Sequence, residues 1–520
     1  MSQLGKTMSY NMIGQLVARI LSFGINMYLL RVVDGTLLGL VNVSLTLLYN
    51  TILFLTREPF RKGDILTLPW PQFVNTIWLS PILGFFMSAA GIGAWTLFAS
   101  ADVPLTMAGG FALAAFIETL AEPFAIISLR YALAGHFAVS QALLVLLPRL
   151  MIFFFTATGL WAFGPYSVAV SQILASSTFV LINYMAFYRL TAEEVKLLPK
   201  EASKNGFRSF FPVPSAGLEQ TALKSVGTLL GHSFLKQLLT DGSGYIMSFT
   251  NIIALKNQAI YDAIEKLGSL VARIVLAPLE ETCFADFSRR ISQSSTKVFE
   301  KNNADFDALA RTFTTVLHGV SVICLTVCCF GIPYAKLALT SYSGGLLATR
   351  EGEILLILYM FYLYVMAING ITECFAVATM KNAELSRHGG FLSLLAVLHL
   401  SMNILLPPQM GSAGFVVANI GMMVLRIGYN WTQISAFLRE KTPSILEIFM
   451  NGSCFVLQIF FLMATCLSYL FFASTPGWIH AVSHIAVGAV LFCLYLLQMY
   501  SSDHNLQAFC SWFYSKKHQE

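Results

Sequence analysis

Apolar runs of about 18 or more residues recur from one end of the chain to the other, and each is long enough to cross a bilayer as a helix. Only 11% of the 520 residues are charged and 56% are hydrophobic. A soluble domain carries roughly 25% charged residues, so this chain lacks the polar surface of a large globule. The pattern predicts an all-α polytopic membrane protein of about 14 transmembrane helices at roughly 20 residues each. The expected spans are 9–31, 36–56, 73–99, 104–128, 136–160, 165–188, 218–250, 258–280, 309–334, 353–379, 388–406, 411–434, 446–473 and 478–500. The seventh and eighth are unusually polar for spans.

Asn11, Gln15 and Arg19 interrupt the first apolar run, and no small-residue cleavage site follows a short apolar core, so the first span is expected to be retained. The net charge of +5 reads as topology and calls for no nucleic-acid partner. With an even number of spans both termini share a side. The breaks on that side hold most of the 32 Lys and Arg residues, among them Arg57, Arg61, Lys62, Lys200, Arg208, Arg289 and Lys516. The opposite breaks hold Arg31, Lys256, Lys336 and Arg350. That bias places both termini in the cytosol.

The longest polar interruptions are 189–214 and 281–308. The first ends in two prolines and reads as a cytosolic linker. The expected organisation is an N-terminal six-helix lobe over 1–190, a linker over 191–214, a C-terminal six-helix lobe over 215–438, and two additional transmembrane helices with a cytosolic tail over 439–520. The second interruption is charged and partly amphipathic, as in a helix lying on the membrane surface. Glu58-Pro59-Phe60 and Glu122-Pro123-Phe124 form a faint repeat at the ends of the second and fourth spans. Paired lobes suit a transporter, whose sites commonly lie between repeats near the midplane.

Enzyme chemistry finds no support. Gly5-Lys6-Thr7 matches only the tail of a phosphate-binding loop, whose first glycine would precede Met1. No zinc-protease helix or nucleophile elbow is present, and no cofactor motif. The nine cysteines lie mostly within spans and form no loop C-x-x-C pair, so neither a metal site nor a disulfide framework is indicated. Sequons at Asn42, Asn430 and Asn451 fall mid-span or on the cytosolic side, where no glycan is added.

Polar stripes inside the spans remain. Asn11, Gln15, Arg19, Ser22 and Asn26 cover roughly 80° of the first helix, and Gln258, Asp262, Glu265, Lys266, Ser269, Arg273 and Glu280 roughly 100° of the eighth. His232, Lys236 and Thr240 recur every fourth residue on the seventh. Tyr359, Tyr362, Asn369 and Glu373 share a face of the tenth, and Glu118 and Glu122 lie one turn apart on the fourth. Some of these pair locally, as Asp262 with Lys266, and polar contacts also glue membrane bundles. Polar faces on several helices nevertheless must converge on water or face lipid. Arg19, Lys236 and Arg273 then form a cationic lining that suits an anion, and the arginine fork suits phosphate. Arg57, Glu58 and Arg61 are candidates for a cytosolic gate, with Glu58 bonded to Arg57, Arg61 or Lys62. Asn26, Glu118, Glu122, Asp262, Glu265, Tyr359 and Glu373 are further cavity candidates.

The stretches "GLVNVSLTLLYNTILFLTREPFR", "SFLKQLLTDG", "QAIYDAIEKLGSLVAR" and "AINGITECF" occur in this order. With them the chain resembles the Rft family of endoplasmic-reticulum proteins, within the multidrug/oligosaccharidyl-lipid/polysaccharide (MOP) exporter superfamily, over nearly its whole length. It departs from the family where Pro59 and Lys62 replace the more usual alanine and arginine, and at Glu265-Lys266 and Ser243-Gly244. The resemblance implies two lobes around a central hydrated cavity in the endoplasmic-reticulum membrane. It also implies a role in moving Man5GlcNAc2-diphosphodolichol from the cytosolic to the luminal leaflet for N-glycosylation, with contacts to membrane lipids and to glycosylation enzymes. Three functions stay open: a translocator working by alternating access, an accessory scaffold of the pathway, and an ion-coupled small-molecule exporter using Glu118, Glu122 and Glu373.

Overall fold

A computed structural model describes residues 21–517 apart from 22, 62, 99–103, 132, 159–165, 205, 251, 296–303, 381, 445–451 and 474–476. Each expected span contains helix, and no strand occurs among the described residues. By length and composition, nine described helices can cross a membrane, or ten if one bent pair counts as a single span. The polar seventh and eighth stretches are helical without meeting that test. The chain packs as two compact units, Met1–Ala259 and Ile260–Glu520.

In the first unit, α1 (Gly35–Arg61) begins at the N-cap Asp34, whose carboxylate accepts from the Thr36 amide at 2.9 Å and the Leu37 amide at 3.3 Å. A π turn at Leu40–Leu45 interrupts it. Helix α2 (Trp70–Phe98) follows, then α3 (Leu105–Thr119) and α4 (Glu122–Arg130), bent by 41° against each other. The bend has a local cause. Pro123 sits in the first turn of α4 and has no amide hydrogen to continue α3, so the chain closes α3 with tight bonds from Leu120 to Ile117 and from Ala121 to Glu118. The unit continues with α5 (Ala134–Ala157), α6 (Tyr166–Tyr188), α7 (Gln220–Thr240), α8 (Gly242–Phe249) and the start of α9 (Leu255–Val271).

The stretch read as a linker is packed onto this unit. A capping box between Thr191 and Glu194 starts the short helix Ala192–Leu197. Ala202 and Phe210 are buried in one apolar cluster with Trp70, Phe73, Phe124 and Phe187. Trp78 Nε1 donates to the Phe210 carbonyl at 2.7 Å, and Asn75 bonds both the carbonyl and the amide of Val213. Helix α7 lies against α1 within the same unit. Buried Phe60 and Phe124, the phenylalanines of the two Glu-Pro-Phe triplets, share the apolar cluster.

In the second unit α9 passes through a π turn, Ala272–Leu276, into α10 (Ala277–Ser295). Over 281–295 the expected surface helix is thus a continuation of the preceding one, and part of its apolar side is covered by protein. Cys283 and Phe287 are wholly buried, with Phe287 against Phe313 and Phe375. Then come α11 (Ala304–Ser343), α12 (Arg350–Thr379), α13 (Asn382–Leu405), α14 (Ala413–Leu438), α15 (Gly452–Ser468), α16 (Trp478–Ser502) and α17 (His504–Lys517). The terminal helices are fastened to α11. Phe330 packs on Phe461 and Tyr495, Tyr334 bonds the His484 carbonyl at 2.9 Å, and His318 Nε2 lies 2.8 Å from Asp503 Oδ2.

One close approach requires glycine. A Cβ on Gly39 would lie 1.9 Å from the Leu255 carbonyl oxygen, a backbone atom that cannot rotate away. Gly39→Ala should therefore lower the melting temperature of the detergent-solubilised protein. Gly93→Ala, whose Cβ meets open space, should leave it unchanged or raise it, since alanine is the better helix former by roughly 0.5–1 kcal/mol.

Candidate functional site

The bend between α3 and α4 sets Glu118 and Glu122 on either side of the break, both aimed at the last turns of α1. Arg57 donates through Nη2 to Glu118 Oε1 and through Nε to Glu122 Oε2 at 3.0 Å. Arg61 grips Glu122 with Nε at 2.5 Å and Nη2 at 2.9 Å. Tyr49 donates its hydroxyl to Glu118 Oε2. Both glutamates are buried, at 0% and 1% exposure, and all four of their carboxylate oxygens accept hydrogen bonds. Two cations thus balance two anions. A buried charge is tolerated when it is paired and its lone pairs are filled, and both conditions hold.

This rearranges the sequence assignments. Glu118 and Glu122 do not stand open to a cavity; they hold the arginines expected to gate it. Glu58 accepts from Lys236 Nζ at 3.2 Å, and Lys236 also sits 5.4 Å from the Phe54 ring centroid. Lys236 is nonetheless 57% exposed. Arg19 lies outside the described residues, as does the side chain of Arg273. The Arg273 backbone falls in the π turn between α9 and α10, a distortion frequent at functional sites. Asn26 is half-buried in the helical stretch over 23–32 that precedes α1.

In the second unit Asp262 and Lys266 pair at 2.7 Å, as their spacing suggests. Tyr359 is buried rather than open. Its ring fills the space that a side chain on Gly268 would need, and it meets Tyr362 edge-on at 5.2 Å. Glu373 accepts from Arg426 Nη2 at 2.8 and 2.9 Å and from Asn369 at 3.0 Å. His388 approaches the same carboxylate at 3.9 Å. Glu265 is half-buried on α9. Arg426 was not among the sequence candidates. Its signal is the one that singled out Arg273, a lone arginine inside an apolar run.

Away from these charges, a cavity of about 520 Å³ is lined by Val33, Asp34, Leu37, Met107, Thr156 and Leu255. Among the described residues Asp34 is the only charged one in its lining. The Thr36 hydroxyl first, and then the Leu37 and Thr36 amides, hold the Asp34 carboxyl below the usual carboxylate range, against a smaller desolvation that raises it. An acidic group at a helix cap does not recommend this cavity for an anionic ligand. Among the described residues no group of three or more His, Cys, Asp or Glu side chains could hold a metal.

A family model described as Rft protein matches residues 3–511. The chain belongs to the Rft family. A relative in Caenorhabditis elegans named Man(5)GlcNAc(2)-PP-dolichol translocation protein RFT1 is 43% identical over 513 residues, covering 96% of this chain and 97% of its own. The Rft protein also shares its fold with solved MOP-superfamily structures. The lipid II flippase MurJ in an inward closed conformation matches with a TM-score of 0.53 at 12% identity, over 95% of this chain and 99% of its own. An inward-facing MATE-family multidrug resistance transporter matches at 0.55 and 12%, over 82% and 96%. The Rft chain therefore has an all-α, MOP-exporter-like fold.

The ion network makes a prediction for this Rft protein. Arg57→Ala leaves buried Glu118 without its cation and removes one of the three bonds to Glu122, and losing one partner of a buried pair costs about 3–5 kcal/mol. Protein abundance should drop sharply. Arg57→Lys should also lower it, because one ammonium cannot serve two carboxylates as the fork does. Adding Glu118→Gln to Arg57→Ala should recover abundance in immunoblots of membranes.

Proposed function

We propose that this protein moves Man5GlcNAc2-diphosphodolichol from the cytosolic to the luminal leaflet of the endoplasmic-reticulum membrane, by alternating access and without enzymatic chemistry. The observation that carries the reading is the full-length relation to the nematode translocation protein, on an exporter-type fold. Its intramembrane cations support it. Arg19, Lys236 and Arg273 are the proposed diphosphate contacts. A hydrated, charge-matched path lowers the cost of taking the head group through hydrocarbon while the prenyl tail stays in lipid. The lobes that move are those over 1–190 and 215–438, and both termini face the cytosol, as the positive-charge bias directs.

The ion-coupled exporter loses its proposed sites. Glu118, Glu122 and Glu373 would have to bind sodium or a proton, yet each already bonds an arginine. Reconstituted vesicles carrying fluorescent lipid-linked oligosaccharide test the main reading. Catalysed transfer between leaflets supports it. Its absence from folded wild-type protein would leave the accessory scaffold.

Arg273 gives the sharper genetic test. Removing a charge from a span relieves an insertion cost of about 2.5–3.5 kcal/mol, so Arg273→Ala should accumulate normally. Lipid-linked intermediates should build up and glycoproteins should be underglycosylated, with Arg273→Lys intermediate. If activity instead tracks protein level across Arg273→Ala, Glu265→Gln and the double variant, Arg273 is structural.

A further inference from the structure

Helix α7 is 21 residues long, about 30 Å, and so matches the hydrocarbon thickness of a bilayer. One side is buried through Ala222, Val226, Ser233 and Gln237. The opposite side is exposed and divides into two sectors. Lys224, Thr228, His232 and Lys236 recur every fourth residue, all exposed, and drift over about 120° of arc. Beside them, on the other shoulder, stand Leu223 at 37% and Phe234 at 58% exposure.

The polar sector is open from Lys224 to His232, and at its end Lys236 bonds Glu58 at 3.2 Å while staying 57% exposed. A Cβ on Gly227 or Gly231 would meet nothing within 4 Å. Neither the Lys224 nor the His232 side chain has a hydrogen-bond or ion-pair partner among the described residues. Thr228 donates its hydroxyl to the Lys224 carbonyl at 3.0 Å, which leaves the oxygen free to accept. A face with two lysines, a histidine and a threonine cannot lie against acyl chains along its whole length, so it borders water or a polar ligand.

We propose that α7 is a two-sector rail for an amphipathic lipid-linked glycan. Lys224 and Lys236, about 18 Å apart along the axis, are successive contacts for the diphosphate. Thr228 and His232 bond glycan hydroxyls between them, and the prenyl chain runs beside Leu223 and Phe234. The lysines supply charge without the fixed fork of arginine, which suits a head group that must be held and then released. The proposal rests on the function proposed above and extends it to Lys224, Thr228, His232 and the apolar shoulder.

The test uses two photoreactive probes, each a prenyl diphosphate carrying di-N-acetylglucosamine, with a diazirine on either the sugar or the prenyl chain. After irradiation of the wild-type protein, mass spectrometry should find the sugar probe on Thr228 or His232 and the chain probe on Leu223 or Phe234. Lys224→Met and His232→Leu should accumulate normally, because both side chains are exposed, and both should weaken probe binding, Lys224→Met by about tenfold through the loss of roughly one charge-assisted contact and His232→Leu by less. Lys224→Arg should retain binding. Wild-type protein that binds the probes but is marked on other helices, or equally in both sectors, overturns the rail alone. Wild-type protein that binds neither probe overturns the translocation reading with it.

Discussion

The bond pattern from Arg57 and Arg61 to Glu118 and Glu122 fixes the first unit. It joins the end of α1 to both sides of the α3–α4 bend, and without it the bend would expose two buried carboxylates to an apolar interior. Proline at 123 breaks the helix, the break turns the glutamates toward α1, and the arginines neutralise them. The aromatic cluster of Phe60, Phe124, Trp70 and Phe210 closes over the same end and ties down the polar stretch that follows α6. A single geometry thus depends on charge, backbone and packing together. It also means that loss of activity in Arg57 variants speaks first to folding.

Neutral pairing recurs through both units. Glu58 meets Lys236, Asp262 meets Lys266, and Glu373 meets Arg426. A membrane protein that keeps its acids paired has few left to bind a coupling cation. On the proposed reading, Lys224 of α7, exposed and with no side-chain partner among the described residues, is a group available to an anionic head group.

Much of the helical layout was legible because apolar runs and their polar breaks report span length directly. The polar stripes were legible too, since residues spaced by three or four share a face whatever they pack against. Which stripe is buried could not be read that way. Glu118 and Glu122 carry the same signal as a hydrated carboxylate pair, and only the approach of α1 shows them to be anchors. The stretch after Tyr188 reads as a linker because it is charged and rich in proline, although Phe210 and Trp78 hold it in place. Arg426 went unremarked inside an apolar run, while Lys224 lies beside a break and reads as a plain interfacial lysine. Arg19 and the Arg273 side chain stay outside what the structure describes, so their place in the site is a proposal.

The central claim is that the protein itself conducts the lipid head group, with no ion bound at its paired carboxylates. Initial rates of transfer for fluorescent lipid-linked oligosaccharide in reconstituted vesicles, measured in symmetric buffer and then under imposed sodium or proton gradients, test it most directly. The account predicts catalysed transfer at the same rate in each condition. Transfer that requires a gradient, or no transfer above protein-free vesicles, would contradict it.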